Sequence, residues 1–200
     1  MTFEGYGIAL RPVTPCDLSY LRRWRNSPRI SHQMLDRSYI TPRKQRLWYE
    51  QMTDRVDQAH WVVWRKGVRT GYVNIKGKGP LESQAQVDVG LYVADSKVRQ
   101  GLLGYAMAMM QMDIVFQELS VKRVQMVVLE DNRRVRHFNR QLGYQEDGCK
   151  DGVVALSICQ RDYEAAKARL LRYFPHHRKM TQPEAMTDHS ELALLKPKGP

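Results

Sequence analysis

Apolar and polar positions between Val87 and Tyr144 repeat first with the period of a strand and then with that of a helix, and this change occurs twice. The predicted elements are a strand over residues 87–93, a helix over 106–119, a strand over 124–129 and a helix over 133–142. Gly143 follows the last helix, where glycine commonly ends a helix. The centre of the chain therefore predicts two strands, each followed by a helix.

The patterns outside this centre predict further strands and helices of a mixed α/β domain. They indicate strands over residues 8–13, 60–65, 71–76 and 153–159, helices from Thr14 or Asp17 to Arg25, over 42–52 and over 161–173, and irregular chain over 30–36. Pro12 predicts an edge position for the first strand, because proline has no N–H to donate to a neighbouring strand. We expect residues 1–174 to form one domain and residues 175–200, which lack periodicity, to form a flexible tail.

A glycine-containing segment lies between the first central strand and its helix. It reads Arg99, Gln100, Gly101, Leu102, Leu103, Gly104 and Tyr105. The first turn of a helix has N–H groups without intrahelical acceptors and carries the positive end of the helix dipole. A helix that begins in this way suits a phosphate or pyrophosphate.

The order of these elements resembles the GNAT family of acetyl-CoA-dependent N-acetyltransferases over about residues 8–165, as do Leu129-Glu130-Asp131-Asn132 and Leu142-Gly143-Tyr144. The resemblance implies a central, mostly antiparallel mixed sheet with helices on both faces, splayed where acetyl-CoA enters. It implies acetyl-CoA as cosubstrate, with its pyrophosphate at residues 99–105. The pantetheine arm would bond along Leu91, Tyr92 and Val93, and Asn132 matches the asparagine that reaches the cofactor.

Two positions depart from the family's pattern. Leu102 stands where the middle glycine of the cofactor loop is usual, unless Gly101 takes that role by a shift of one residue. Asn139, seven residues after Asn132, stands where a tyrosine commonly protonates the leaving thiolate. An amide cannot serve as that proton donor, although it can hydrogen-bond to sulfur or to substrate. The resemblance thus places Asn139 at the position of the family's catalytic acid, although an asparagine cannot donate the proton that this acid supplies.

Two carboxylates are alternative candidates for the general base that deprotonates the acceptor amine. Asp88 lies two residues before Gly90, where many family members carry a carboxylate, and Glu130 lies just before the cofactor asparagine. Each needs burial to raise its pKa toward neutrality. Asp88 also has a structural interpretation, as a strand-edge carboxylate paired with an arginine, and both interpretations stay open.

The segment from Trp24 to Ile40 resembles the amino-sugar N-acetyltransferases of this family, above all the branch that acetylates UDP-linked 4-amino sugars on the route to pseudaminic acid. The acceptor implied is the primary amine of a nucleotide-linked amino sugar, with Arg25, His32 and Met34 near it. Arginines at 22, 25, 29 and 37 offer charge to the diphosphate. The alternatives are another amine, such as a ribosomal-protein N-terminus or a polyamine, and a CoA-binding module that has lost catalysis.

Charge and composition narrow these alternatives. In 200 residues, 32 Lys and Arg against 21 Asp and Glu give a formal charge of +11, which suits an anionic partner and disfavours a polyamine. The basic residues form no long run, so we expect no nucleic-acid partner, and no apolar run is long enough to span a membrane. Cysteines at 16, 149 and 159 form no close pair, so we expect a cytoplasmic protein without a metal site. A homodimer is compatible with the sequence.

Overall fold

The computed structural model describes residues 1–94 and 102–174, in which eight strands form one mixed sheet. The strands are β1 (Phe3–Gly5), β2 (Ile8–Pro12), β3 (Gln58–Arg65), β4 (Val68–Lys76), β5 (Gln86–Val93), β6 (Arg123–Leu129), β7 (Gln145–Lys150) and β8 (Val153–Cys159). Their order across the sheet is β1, β2, β3, β4, β5, β6, β8, β7. Neighbouring strands are antiparallel except β5 and β6, which are parallel. The predicted, mostly antiparallel mixed sheet is confirmed.

Helices pack on both faces of this sheet. They are α1 (Leu18–Asn26), α2 (Pro28–Ser31), α3 (Pro42–Thr53), α4 (Leu103–Asp113), α5 (Arg133–Gln141) and α6 (Gln160–Leu170). Thr41 caps α3 by accepting a hydrogen bond at its side-chain oxygen from the N–H of Lys44, at 3.2 Å, and Pro42 occupies the first helical position. Helix α4 continues into a π-helical turn over Ile114–Glu118.

The alternation of side chains along β3 creates two cores. Trp61 and Val63 contribute to the main core, which β1, β2, β4, β5, β6 and β8 build together with α4, α5 and α6. Val62 and Trp64 belong to a smaller core on the opposite face, which α1 and α3 cover. Because successive residues of a strand point to opposite faces, the apolar run in β3 supplies both cores at once.

Several local predictions were wrong. Strand β2 is internal, because β1 pairs with it over Ile8–Leu10; Pro12 lies beyond that pairing and needs no N–H toward β1. Helix α4 begins at Leu103, three residues before the predicted start at 106. The irregular segment over 30–36 begins inside the short helix α2, and β7 was missed because its side chains are all exposed and show no alternation.

Strands β5 and β6 separate after a short parallel contact. Their paired residues are Gln86 with Arg123, Val87 with Val124 and Asp88 with Gln125. Beyond this contact β5 continues to Val93 on the β4 side, while β6 continues to Leu129 on the β8 side. The sheet is therefore splayed between β5 and β6, as the resemblance implied.

A buried carboxylate at the end of α4 joins distant parts of the chain. Asp113 is 2% exposed. It accepts hydrogen bonds from the hydroxyls of Tyr6 (2.5 Å) and Tyr163 (2.6 Å) and from the Lys167 ammonium group (2.6 Å). Burial, followed by the charge of Asp113, raises the pKa of both tyrosines, so both remain protonated donors. Asp113 thus ties the N-terminal strands and α6 to α4.

We predict that Asp113→Asn lowers the free energy of unfolding by about 3 kcal/mol, because it leaves the Lys167 ammonium buried beside a neutral group. The measurement is equilibrium denaturation in urea. Asp147→Asn is the matched control, because Asp147 forms an exposed ion pair with Arg123 and should contribute less than about 1 kcal/mol. Equal losses for the two variants would contradict the structural role of Asp113.

Candidate active site

A cleft of about 640 Å³ opens where β5 and β6 separate. One wall is formed by β4 and β5, the other by β6 and α5, and α2 with the start of α4 closes the ends. Tyr72, Asn74, Tyr92, Gly104, Asn132 and Phe138 are among the residues that line it. The splayed sheet and a helix N-terminus therefore meet in one cleft, as expected for a ligand with an extended arm and a phosphate group.

The N-terminus of α4 lies at this cleft, although not all predicted cofactor residues face it. Gly104 and Tyr105 line the cleft, Leu103 is buried in the main core at 4% exposure, and Leu102 is 39% exposed. The predicted residues Arg99, Gln100 and Gly101 lie outside the described residues. The first-turn N–H groups of α4 are the part of the predicted phosphate site that the structure describes.

Strand β5 presents one free edge to the cleft. Leu91, Tyr92 and Val93 line it and pair only with β4, because β6 has already turned away. Gly90 also lines the cleft, and a Cβ added there would lie 2.7 Å from the side-chain oxygen of Asn74. Glycine at 90 thus leaves room for the Asn74 amide, and the strand edge beyond it is available for strand-like hydrogen bonds to a ligand.

Asn132 lines the opposite wall, where β6 gives way to α5. Its side-chain oxygen caps α5 by accepting a hydrogen bond from the N–H of Val135, at 3.2 Å. The side-chain amide nitrogen has no hydrogen bond among those described, so it retains donor capacity toward a ligand. Capping and cofactor contact are compatible for this residue because they use different atoms.

The three predicted catalytic residues do not line the cleft. Asp88 is exposed on β5 opposite Lys76, and Glu130 is exposed in a separate hollow of about 520 Å³ with Arg37, Arg133 and Arg136. Both are therefore exposed and outside the cleft, whereas a general base must lie within reach of the amine, directly or through water. Asn139 is 3% exposed within α5, and its side-chain nitrogen has no hydrogen-bond partner among the described residues. Their catalytic roles stay predictions.

The structure separates the three predicted acceptor residues. Arg25 and Met34 line the cleft, whereas His32 is exposed outside it. One terminal nitrogen of Arg25, Nη2, donates a hydrogen bond to the carbonyl oxygen of Asp36 at 2.7 Å. The other, Nη1, is buried and has no hydrogen-bond partner among the described residues. Arg25 is therefore a partly satisfied cation at the wall of the cleft.

An aromatic row runs from Trp24 through Tyr92 to Tyr72, and sequence reasoning missed Tyr72. Tyr72 stacks on Tyr92, with ring centroids 5.2 Å apart, and Trp24 meets Tyr92 edge-on at 6.4 Å. His60 lies behind Tyr72, with Nδ1 2.5 Å from the hydroxyl oxygen. Burial, then the charges of Lys76 and Arg55, lowers the pKa of His60 to about 4, against an opposing effect of Asp57. At neutral pH this histidine is therefore uncharged.

Comparison with known proteins agrees with this geometry. A family model described as "Acetyltransferase (GNAT) domain" matches residues 8–145, which is more than half of the chain. The chain belongs to the GNAT acetyltransferase family. It is an acyl-CoA N-acetyltransferase, and acetyl-CoA is its cosubstrate. A comparison with curated proteins finds no match.

Solved GNAT structures share the fold at low sequence identity. Spermidine N-acetyltransferase from Vibrio cholerae, solved with CoA and spermine, has a TM-score of 0.70 and 16% identity, over 79% of this chain and 98% of that one. FdhC, described as a nucleotide-linked sugar GNAT, has a TM-score of 0.72 and 16% identity, over 87% and 98%. Aminoglycoside acetyltransferase AAC(6')-Ib with coenzyme A has a TM-score of 0.66 and 18% identity, over 80% and 99%. These similarities concern the fold alone.

In residues 1–94 and 102–174, no group of three or more His, Cys, Asp or Glu side chains is placed to hold a metal ion. Within the same ranges, no helix has the length and apolar character needed to cross a membrane.

We predict that the buried neutral His60 makes stability depend on pH. The unfolded chain binds a proton on this side chain near pH 6.5 and the folded chain only near pH 4, so the folded state loses stability as the pH falls through this interval. The expected loss is about 3 kcal/mol, measured as the free energy of unfolding in urea at several pH values. His60→Asn should remove this part of the pH dependence.

The matched control for this measurement is His32→Asn, because His32 lies on the surface. It should leave the pH dependence of the wild type in place. A wild-type slope that survives in His60→Asn would show that another group causes it.

Proposed function

We propose that this enzyme transfers the acetyl group of acetyl-CoA directly to the primary amine of an anionic acceptor, most like a nucleotide-linked amino sugar. The observation that carries the proposal is Arg25 Nη1, a buried guanidinium nitrogen at the wall of the cleft without a hydrogen-bond partner among the described residues. A buried polar group without a partner is costly, and a phosphate or carboxylate oxygen of a substrate would satisfy it.

The charge of the cleft supports an anionic acceptor. Arg25, Arg29, Lys76 and Arg134 line it, and no carboxylate is among the described residues that do so. Arg29 donates a hydrogen bond to the carbonyl oxygen of Ala94, whereas Nη1 of Arg25 has no acceptor among the described residues. A polycation would meet only like charges here, whereas a diphosphate would meet several opposite ones. By its charge, the proposed acceptor is therefore more like a nucleotide-linked sugar than like spermidine.

The proposed reaction needs one bond to form and one to break. The neutral amine attacks the thioester carbon, a tetrahedral intermediate forms, and the carbon–sulfur bond breaks to release the CoA thiolate. One proton leaves the amine nitrogen and one proton is taken up by sulfur. Cations around the cleft favour the neutral form of the amine and stabilise the developing negative charge. Asp88 or Glu130 would accept the amine proton only through water, because neither lines the cleft.

Two features distinguish this site from the family's usual acid and base. No described carboxylate lines the cleft, and Asn139 stands at the position of the family's usual acid. A protein N-terminus or another amine remains the alternative acceptor.

We propose in addition that residues 1–174 form the catalytic domain, that the protein acts in the cytoplasm without a nucleic-acid or membrane partner, and that a homodimer is compatible with it. The predicted tail over 175–200 lies outside the described residues.

We predict that CoA stabilises the folded enzyme through the cleft beside Gly104. A ligand at a hundred times its dissociation constant adds about 2.7 kcal/mol, which raises the melting temperature. A Cβ at Gly104 would lie 3.4 Å from the Phe138 ring, an ordinary contact, so Gly104→Ala should keep the thermal shift. Gly104→Val adds two methyl groups between α4 and α5 and should abolish it. No shift with CoA in the wild type would contradict the cofactor site.

We predict that the acceptor's negative charge is recognised by Arg25. Turnover is measured as thiol release with a UDP-linked 4-amino sugar, with a neutral amino sugar and with spermidine. Arg25→Gln should raise the KM for the UDP-linked acceptor at least about tenfold, because a charged hydrogen bond contributes about 1.5–3 kcal/mol. Its effect on the neutral amino sugar should be smaller.

The control is Arg43→Gln, which removes the same charge from an exposed position on α3. It should leave KM within about twofold, because exposed charges are screened by salt. Equal effects of Arg25→Gln on charged and neutral acceptors would contradict the anionic-acceptor proposal. Absence of turnover with every amine would contradict the proposed acetyl transfer.

A further inference from the structure

A histidine–tyrosine pair on β3 and β4 forms part of the cleft wall and was not among the sequence-derived site residues. His60 Nδ1 and the Tyr72 hydroxyl oxygen are 2.5 Å apart. Tyr72 lines the cleft, whereas His60 is 6% exposed and lies behind it, with the Trp48 ring edge-on at 5.2 Å. Tyr72 can therefore contact a ligand in the cleft, whereas His60 lies in the protein interior.

Both members of the pair are neutral at physiological pH. Burial lowers the pKa of His60 to about 4 and raises the pKa of Tyr72 well above its ordinary value. The groups that face His60 are Lys76, Arg55 and Asp57, and the two cations outweigh the carboxylate. Neither ring thus carries a charge near neutral pH, and each offers a neutral hydrogen-bond donor and acceptor.

The position of the proton within the pair follows from the other imidazole nitrogen. His60 Nε2 is buried and has no hydrogen-bond partner among the described residues. A buried N–H without an acceptor is rarer and more costly than an unused lone pair, so the proton belongs on Nδ1. Nδ1–H then donates to the Tyr72 oxygen. The Tyr72 hydroxyl hydrogen then has no acceptor in His60, and Tyr72 lines the cleft.

We propose that Tyr72 determines acceptor specificity by donating a hydrogen bond to an oxygen atom of the acceptor, and that His60 is the positioning residue that holds this hydroxyl. The proposal rests on the proposed function, because it requires the acceptor to enter the cleft beside Arg25. Arg25 is near enough to Tyr72 to oppose, by its charge, the rise in the pKa of that hydroxyl. Arg25 and Tyr72 thus form two donors on one side of the cleft.

Two donors side by side define the chemical class of the acceptor. An alkylammonium group has only N–H donors, and a polyamine has no oxygen, so neither gains from Tyr72. A sugar hydroxyl, a carbonyl or a phosphate accepts the hydrogen bond. Sites built to hydrogen-bond a substrate oxygen discriminate strongly against molecules that lack it, because the donor is then left unpaired. The predicted acceptor is an amine that carries oxygen close to the reacting nitrogen.

The test compares two acceptors across a small set of variants. For Tyr72→Phe, kcat/KM with a UDP-linked 4-amino sugar should fall about 10–100-fold, while kcat/KM with spermidine should change less than about threefold. The KM for acetyl-CoA should not change. Tyr49→Phe is the matched control, because Tyr49 packs in the same smaller core on α3 and does not line the cleft, and it should behave as wild type.

The role of His60 is tested by a double-mutant cycle. His60→Leu removes the donor to Tyr72 and should lower kcat/KM for the amino sugar about 3–10-fold, whereas His60→Asn retains an N–H and should recover most of this loss. His60→Leu combined with Tyr72→Phe should be no slower than Tyr72→Phe alone, because His60 acts through Tyr72. Additive losses would overturn the positioning role.

A substrate-free measurement separates this inference from the proposed function. Nitrogen-15 NMR of the wild-type imidazoles should show His60 neutral with its proton on Nδ1, and a proton on Nε2 would overturn the proposal. Equal losses with both acceptors in Tyr72→Phe, or no loss with either, would also overturn it. If the wild type turns over no amine, the proposed function fails while the NMR result still decides the state of the pair.

Discussion

The separation of β5 from β6 is the constraint on which the rest of the structure depends. Two parallel strands that pair over only three residues each leave backbone groups without strand partners at the centre of the sheet. On the β4 side the sheet is continuous, and the buried Gln111 of α4 donates to the carbonyl oxygens of the paired residues Asn74 (2.7 Å) and Gly90 (3.1 Å). The free edge of β5 beyond this point faces the cleft. The same geometry that interrupts the sheet thus creates the cleft that we propose for the cosubstrate.

Two of the three buried unsatisfied side-chain atoms of the described residues, those of Arg25 and His60, lie at or behind this opening. In the described residues, the buried side-chain atoms without a hydrogen-bond partner are Arg25 Nη1, His60 Nε2 and Asn139 Nδ2. Each costs roughly 1–3 kcal/mol unless a ligand or water satisfies it. Arg25 lines the cleft itself, and His60 supports a tyrosine that does. Such costs are typical of sites that hold polar groups ready for a substrate, and they are offset by the two cores and by the Asp113 network.

The sequence predicted the central elements because their signals are local. A strand, a helix with a glycine near its start, a second strand and a capped helix all show their own periodicity, and the structure reproduces each with shifts of a few residues. The location of the two candidate carboxylates relative to the cleft could not be predicted in this way. Whether Asp88 or Glu130 faces the cleft depends on how strands pair and diverge, and no local pattern records the point of separation.

The His60–Tyr72 pair shows a second limit of local reasoning. Counting back from the hairpin turn at Lys66 and Gly67, a regular register would place the two residues on opposite faces of the sheet. A β-bulge between Val63 and Trp64 shifts the register by one residue, so His60 opposes Asn74 and shares a face with Tyr72. The sequence contains both residues and the turn, but nothing in it marks the bulge.

The Asp113 network affects when the domain can fold during its synthesis on the ribosome. Its partners are separated from Asp113 by 107 residues toward the N-terminus and by 50 and 54 residues toward the C-terminus. During synthesis, the first strands and α4 emerge from the ribosome well before Tyr163 and Lys167. Until those two residues emerge, Tyr6 is the one member of this set of partners that can bind Asp113. We therefore expect folding of this domain on the ribosome to be completed only after α6 has emerged.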